Sequence, residues 1–181
     1  MDGPRIETDR LILRPTAPED FAAWTAFAAD PQGMRHLGGA VSRAVAWRSF
    51  MTMAGSWAMR GFGMFSVIER SSGRWIGRLG PWQPDGWPGT EIGWGLVRDT
   101  WGRGLATEGS IAAADWAFEH LGWSDMIHSI APDNIGSQGV ARKLGSVNRG
   151  PGKLPEPLQG MVVDIWGQTR EQWMAARHHP R

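Results

Sequence analysis

The sequence has 181 residues, of which 41% are hydrophobic and 20% charged, and we expect one domain spanning residues 1–181. Nineteen basic and eighteen acidic residues give a formal net charge of +1 without a long run of one sign, which argues against nucleic-acid or membrane-surface binding. Cysteine is absent and no apolar run reaches the roughly 18 residues of a membrane-spanning helix, so we expect a cytoplasmic protein without disulfides or a cysteine nucleophile.

The first sixty residues predict one strand and two helices. Residues 11–15 begin with three branched apolar residues and end at a proline, which is typical of a short strand. The capping-box spacing of residues 16–19 then predicts the start of a helix. A second helix is expected after Ser42, where apolar residues recur three and four apart until Gly61.

Three β-like runs follow, at residues 62–69, 74–81 and 90–97. Short turns rich in Ser, Gly and Pro separate them, so we expect neighbouring antiparallel strands. An alanine-rich stretch from Gly104 to about Leu121 then predicts a helix that lies on the sheet.

The last third of the chain predicts two more strands around a short helix. The strands are expected at residues 125–130 and 159–166 and the helix at residues 137–144, with a surface loop over the Pro-rich residues 150–157. A helical turn is expected to follow the last strand. The whole order predicts an α/β protein with a mixed, mostly antiparallel sheet of about seven strands, six of which have the bounds given above, and with helices on both faces.

Gly102 and Gly104 stand between the predicted strand at residues 90–97 and the helix that follows. A turn without Cβ atoms exposes backbone N–H groups, and the helix adds the positive end of its dipole, so this turn suits an anion such as phosphate. Arg103 and Thr107 could donate to the same anion. The spacing alone also fits an ordinary tight turn. No nucleotide-binding glycine motif matches, which argues against nucleotide hydrolysis and hydride transfer.

Four stretches of sequence then occur in a fixed order. They are RLILRP at residues 10–15, EIGWGL with WGRGLATEG at residues 91–109, N-x-x-S with KLG at residues 134–145, and D-x-W with TREQW at residues 164–173. Together they resemble the GNAT superfamily of acetyl-CoA-dependent N-acetyltransferases, and specifically its RimJ/RimL-like branch. The resemblance covers nearly the whole chain.

This resemblance implies the GNAT acyl-CoA N-acyltransferase fold, acetyl-CoA as co-substrate, no metal, and direct attack by a primary amine in a ternary complex. The expected acceptor is the α-amine of a protein or peptide N-terminus. A small free amine (an antibiotic, amino acid or polyamine) is an alternative, and a non-catalytic acyl-CoA-binding sensor is a third. The sequence leaves open whether the chain forms a homodimer.

The resemblance also implies the residues that bind coenzyme A. Backbone groups of Gly95, Leu96 and Val97 would pair with the pantetheine arm, and Asn134 and Ser137 would meet the arm near its thioester. The pyrophosphate would be held by the residues of the glycine turn and their neighbours, namely Arg98, Gly102, Arg103, Gly104, Leu105, Ala106 and Thr107.

Two departures from the family pattern affect the expected chemistry. The position three residues before Gly102 usually carries Gln or Arg in the family and carries Asp99 here, so the turn is expected to depend on backbone donors and Arg103. Many members use a tyrosine as the acid that protonates the departing thiolate, and this sequence contains none. Ser137 or a water molecule is expected to replace it.

Glu91 is the leading candidate for the base. It shares one face of its predicted strand with Gly93 and Gly95, whose missing side chains are expected to leave a trough beside the carboxylate. Burial there would raise the pKa of Glu91 and suit it to proton transfer. Asp164 and His128 are rival bases, and Glu91 could instead be a structural ion-pair residue.

The acceptor is expected to meet Trp94, Asp164 and Trp166. Asp164 would orient the ammonium group, and the indole faces would contact the cation or an apolar part of the acceptor. A backbone N–H near Trp94 or Gly95 would stabilise the oxyanion. Deprotonating an α-amine with a pKa of about 8 costs about 1.4 kcal/mol at pH 7, whereas a lysine amine costs about 4.6 kcal/mol, so a modest base suffices for an α-amine.

Overall fold

The structure, a computed structural model, describes residues 3–178. Within this range the chain forms eight strands and five α-helices. The strands are β1 (Ile6–Glu7), β2 (Leu11–Arg14), β3 (Phe65–Glu69), β4 (Trp75–Trp82), β5 (Glu91–Leu96), β6 (Asp125–Ile130), β7 (Val147–Gly152) and β8 (Val163–Thr169). The helices are α1 (Phe21–Ala28), α2 (Arg43–Arg60), α3 (Leu105–His120), α4 (Ile135–Leu144) and α5 (Arg170–His178).

All eight strands belong to one sheet, in the order β1-β2-β3-β4-β5-β6-β8-β7. Every neighbouring pair is antiparallel except β5 and β6, which are parallel and are joined by α3. This confirms the predicted α/β fold with a mixed, mostly antiparallel sheet. The sheet has one strand more than the seven expected.

Local signals set the ends of the helices. The hydroxyl of Ser42 accepts a hydrogen bond from the backbone N–H of Val45, and α2 ends at Gly61, whose φ of 70° is left-handed. The carboxamide of Asn134 accepts from the backbone N–H of Ser137 and caps α4 in the same way. The predicted bounds of α2 and α4 are therefore close to those observed.

The helices cover both faces of the sheet, as the sequence predicts. On one face α1 and α2 pack on the sheet through a cluster that includes Trp24, Phe27, Phe50, Met53 and Trp75. On the other face α3, α4 and α5 bury a second cluster, which includes Ile92, Phe118, Met126, Leu144 and Trp173. Among the described residues, no helix is both long and apolar enough to cross a membrane.

The prediction was wrong for the region around residues 150–166. The predicted loop begins inside a strand, because β7 extends to Gly152, and the last strand starts at Val163 rather than at residue 159. The strand β7 lies at the edge of the sheet and pairs only with β8, with a register shift before Pro151. An edge strand tolerates a proline because one side of its backbone has no partner strand.

The strands β5 and β6 separate soon after they meet. Their one paired position is Glu91 opposite Ile127. Further along, the side chain of His128 lies between the strands and its Nδ1 donates to the carbonyl oxygen of Ile92 at 2.7 Å. A ring nitrogen thus replaces the backbone donor that a continuous ladder would supply, and a gap opens toward Leu96.

Candidate active site

Two cavities adjoin the gap between β5 and β6. The large cavity has a volume of about 610 Å³ and lies by the glycine turn before α3. The small cavity has a volume of about 350 Å³ and contains Glu91. Both cavities are lined by His36, Leu37, Trp94, Asn134 and Ser137, so they meet at these residues.

The glycine turn has the geometry that the sequence predicts. Gly102 has φ 73° and Gly104 has φ 78°, and both values are strained for a residue with a side chain. Gly104 is the N-cap of α3, and no side chain in the described chain accepts from the first turn of this helix. Its N–H groups are therefore available to an anion. The residues of the turn and helix that line the large cavity are Gly102, Gly104, Leu105, Ala106 and Thr107.

The two arginines predicted to bind pyrophosphate have other partners. Arg98 donates to the carboxylate of Asp30 at 2.6 Å, and Arg103 donates to the carboxylate of Glu69 at 2.7 Å. Neither arginine lines the large cavity. The ion pairs with Asp30 and Glu69 therefore direct both guanidinium groups away from the large cavity.

The large cavity has cationic lining residues that the sequence analysis missed. Arg35 follows α1 and is paired with Asp133 at 3.0 Å, whereas Lys143 is exposed and has no carboxylate within ion-pair distance among residues 3–178. Lys143 follows Gly136 and Gly139 by seven and four positions, so the three share one face of α4. This spacing is the sequence signal from which Lys143 could have been predicted to line the cavity together with the two glycines.

Alternate residues of β5 direct their backbone groups into the gap. The N–H of Val97, directly after β5, donates to the carbonyl of Ile76 in β4, so the backbone groups of Gly95 and Val97 face β4. By the same alternation Trp94 and Leu96 face the gap, as Ile92 does. This register argues against the predicted pairing of the Gly95 and Val97 backbone groups with a ligand, although Gly95 lines the large cavity. The backbone groups available from β5 belong to Trp94 and to Leu96, whose carbonyl accepts from Trp101.

Side chains occupy the trough expected over the β5 glycines. A Cβ atom built on Gly93 would lie 2.6 Å from the Cε of Met64, and one on Gly95 would lie 2.9 Å from the Cδ1 of Leu37. The two glycines therefore allow Met64 and Leu37 to pack closely on the strand. These side chains form part of the wall of the small cavity.

Glu91 is 7% exposed and lies in the small cavity. Burial raises the pKa of its carboxyl group, and hydrogen bonds from Trp87 and Ser129 partly oppose this rise. The Ser129 hydroxyl donates to Glu91 at 2.9 Å, and the indole N–H of Trp87 donates to the same oxygen. The carboxyl group is thus held in place with an affinity for protons above that of an exposed carboxylate.

His128 is poorly arranged to act as a base. The ring is 1% exposed, and burial lowers its pKa to about 4. Its Nδ1 donates to Ile92, which leaves Nε2 as the acceptor of a hydrogen bond from the hydroxyl of Ser146 at 2.9 Å. Both ring nitrogens are engaged, so neither has a free lone pair for a substrate.

Ser137 and Trp94 lie at the junction of the cavities. The indole N–H of Trp94 donates to the hydroxyl of Ser137 at 3.1 Å, and the Trp94 ring packs against His128 with 4.9 Å between centroids. The Ser137 hydroxyl keeps its own proton for donation. Asn134 caps α4 beside it. The structure therefore brings together three of the side chains predicted for the site.

Asp164 and Trp166 do not reach either cavity. The carboxylate of Asp164 accepts from the side chain of Asn148 at 2.8 Å, beside β7. Trp166 is 7% exposed and packs with Ile130 and Ala141 under α4. The geometry argues against the predicted acceptor contacts, because pairing with β6 and β7 turns both side chains away from the gap.

The chain is similar to known proteins in both sequence and structure. A family model described as an acetyltransferase (GNAT) domain matches residues 10–147. A curated relative, "Uncharacterized N-acetyltransferase p20" of Bacillus licheniformis, is 27% identical over 167 residues, which cover 89% of this chain and 92% of the relative.

Two solved structures share the fold. An acetyltransferase from Agrobacterium tumefaciens str. C58 superposes with a TM-score of 0.79 and 29% identity, covering 93% of this chain and 95% of the other. The aminoglycoside acetyltransferase AAC(6')-Ib in complex with coenzyme A gives a TM-score of 0.72 and 18% identity, covering 92% and 99% of the two chains.

Proposed function

We propose that this chain, which belongs to the GNAT acetyltransferase family, acetylates the α-amine of a protein or peptide N-terminus as a RimJ/RimL-like enzyme. Its family and its named relatives make it an acetyl-CoA-dependent acetyltransferase. The observation that carries the proposal is the buried Glu91 carboxyl group in a cavity that meets the glycine-turn cavity at Trp94 and Ser137.

The large cavity fits coenzyme A. Its glycine turn and the uncapped start of α3 offer N–H groups to the pyrophosphate, with a hydroxyl donor at Thr107. The gap-facing carbonyl of Trp94 and N–H of Leu96 would pair with the amides of the pantetheine arm. When bound, acetyl-CoA supplies the thioester that the amine attacks. The direct transfer needs no protein-bound acyl group and no metal.

Glu91 acts as the base in this proposal. An α-ammonium group must lose a proton before it attacks. Because the pKa of Glu91 is raised, it is closer to the pKa of the amine, which favours transfer of the proton to the carboxylate. The hydrogen bonds from Trp87 and Ser129 keep the carboxyl group oriented toward the cavity while it takes the proton.

The junction residues stabilise the negative charges that form. The backbone N–H of Trp94 faces the gap and donates to the developing oxyanion. The Ser137 hydroxyl, positioned by Trp94, donates a proton to the departing thiolate and recovers it from solvent. This arrangement takes the place of the tyrosine acid that the sequence lacks.

A small free amine is the second candidate acceptor. The small cavity, at about 350 Å³, is of the size that holds a small molecule, and residues of the Leu154–Leu158 segment line it with Trp82 and Trp87. A peptide would place only its first residue there and leave the rest of its chain in solvent.

Steady-state release of free thiol with an amine panel tests the proposal. The panel contains N-terminal peptides, free amino acids and their amides, polyamines and aminoglycosides, each varied against acetyl-CoA. We expect amine-dependent thiol release with intersecting double-reciprocal lines. Coenzyme A binding without amine-dependent release would support the non-catalytic sensor, and parallel lines would contradict direct transfer.

A further inference from the structure

Arg78 projects from β4 into the small cavity that contains Glu91. On β4 Arg78 pairs with Gly95 of β5, and Glu91 of β5 pairs with Trp82, four positions further along β4. The side chains of Arg78 and Glu91 therefore lie on the same face of adjacent strands. The guanidinium of Arg78 donates to the sulfur of Met64 and lies 5.7 Å from the ring centroid of Trp24. A thioether is a weak acceptor, so neither contact compensates the charge as a carboxylate would.

The surroundings of Arg78 are unusual for an arginine of this chain. Among the arginines that the structure describes, only Arg14 and Arg78 are not exposed. Arg14 forms a two-point ion pair with Asp20, with both distances below 3 Å: 2.8 Å and 2.7 Å. Arg78 has no carboxylate within 4.0 Å among residues 3–178, although Glu91 is near enough for each charge to affect the pKa of the other. A partly buried guanidinium without an anionic partner is costly unless a ligand supplies one.

The protonation of the two groups supports an anionic ligand. Burial lowers the pKa of Arg78 only to about 10, so the side chain stays cationic at neutral pH. Burial raises the pKa of Glu91, and the amine proton that it accepts leaves the carboxyl group neutral. The other carboxylates that line this cavity, those of Asp85 and Glu156, are exposed. Because neither forms an ion pair with Arg78, the guanidinium keeps no close compensating charge once Glu91 is neutral.

We propose that Arg78 binds a carboxylate of the acceptor, so that the preferred substrates are amines that carry a carboxylate close to the reacting nitrogen. The inference rests on the proposed acetyl transfer and narrows its acceptor class. The carboxylate has two sources, the α-carboxylate of a free amino acid or the acidic side chain at the first residue of a peptide. The planar guanidinium suits two-point binding of either carboxylate.

The test compares matched acceptors in the wild type and in the variants Arg78→Gln and Arg78→Lys. Each free amino acid is paired with its α-carboxamide, and each peptide that begins with Glu is paired with the same peptide that begins with Gln. We expect the wild type to prefer the carboxylate member of at least one pair by about tenfold or more in kcat/KM. The ratio of kcat/KM for the carboxylate member to kcat/KM for the amide member should be close to one in Arg78→Gln. In Arg78→Lys part of the preference should remain, because the charge is kept.

Calorimetry of the coenzyme A-saturated protein separates this inference from the proposed function. If the wild type binds the carboxylate acceptors more tightly than their amides but releases no thiol, acetyl transfer is contradicted while the role of Arg78 in carboxylate binding stands. Equal binding and equal rates within every pair, or an equal loss for both members in Arg78→Gln, would overturn the role of Arg78. Unchanged coenzyme A affinity of Arg78→Gln shows that the variant is folded.

Discussion

The indole nitrogen of Trp94 donates a 3.1 Å hydrogen bond to the hydroxyl of Ser137, which connects β5 to the first turn of α4 across the gap in the sheet. Both residues line both cavities. The contact fixes the Ser137 hydroxyl at the junction while its proton remains available, and this is the arrangement that a donor to a departing thiolate requires.

Removing the Ser137 hydroxyl is therefore expected to slow turnover. In Ser137→Ala, kcat should fall by roughly a hundredfold, which is the low end of general-acid effects, with little change in KM for acetyl-CoA. Trp94→Phe keeps the Ser137 hydroxyl and an aromatic ring next to His128 but removes the hydrogen bond that positions the hydroxyl, so its loss of kcat should be smaller. Steady-state kinetics measures both, and a Ser137→Ala enzyme within twofold of wild type would assign the role to water.

Glu91→Gln is expected to change the pH dependence of the rate. Without the base, only amine that is already neutral reacts, so the loss relative to wild type should be largest near pH 6. It should shrink by roughly one to two orders of magnitude toward pH 9 for an α-amine with a pKa of about 8. A loss that is the same at every pH would contradict the role of Glu91 as base.

Ser129→Ala provides a matched control for Glu91. The variant removes the 2.9 Å hydrogen bond that favours the ionised carboxylate, so the pKa of Glu91 should rise further. The acidic limb of the kcat/KM profile is therefore expected to move to higher pH while the plateau at high pH is retained. Together the two variants separate loss of the base from a shift in its pKa.

Gly102→Ala tests the glycine turn, with Gly122→Ala as control. Both glycines have left-handed φ values, 73° and 66°, and a Cβ at either position meets nothing within 4 Å. Each substitution should cost about 1 kcal/mol of folding free energy from backbone strain. Only Gly102 lines the large cavity, so calorimetry should show weaker coenzyme A binding in Gly102→Ala alone. Equal affinities would contradict the assignment of the turn.

The buried His128 is expected to make the fold sensitive to acid. Its pKa is about 4 in the folded state and about 6.5 when exposed, so between these values the unfolded chain binds the extra proton. The contribution of His128 to the free energy of unfolding is therefore fully present above pH 6.5. It is lost as the pH falls, so that the free energy of unfolding decreases by up to roughly 3 kcal/mol near pH 4.

Urea unfolding at several pH values measures this contribution. His128→Gln should show a flatter decrease between pH 6.5 and pH 4 than wild type, whatever its absolute stability. His120→Gln replaces an exposed imidazole and should retain the wild-type slope. Parallel curves for wild type and His128→Gln would show that His128 does not cause the dependence.

Short-range signals account for the parts of the fold that the sequence predicted. Caps such as Ser42 and stops such as Gly61 act within one turn of their own helix, and the two glycines before α3 determine their own turn. The edge strand β7 was missed because Pro151 is compatible with a loop and with an unpartnered edge. Whether residues 147–152 form a loop or an edge strand depends on their pairing with β8.

The sequence alone determined the order of the elements apart from the edge strands β1 and β7, the mixed sheet, the glycine turn and a strand that carries Glu91, because each depends on neighbours along the chain. Tertiary structure alone decided the partners of the charged side chains. Arg98 pairs with a carboxylate 68 positions away and Arg103 with one 34 positions away, whereas Arg78 has none within ion-pair distance in the described chain. The register of β5 beside β4 likewise decided which backbone groups face the gap. These outcomes depend on which distant segments the packed core brings together, and local sequence does not encode that.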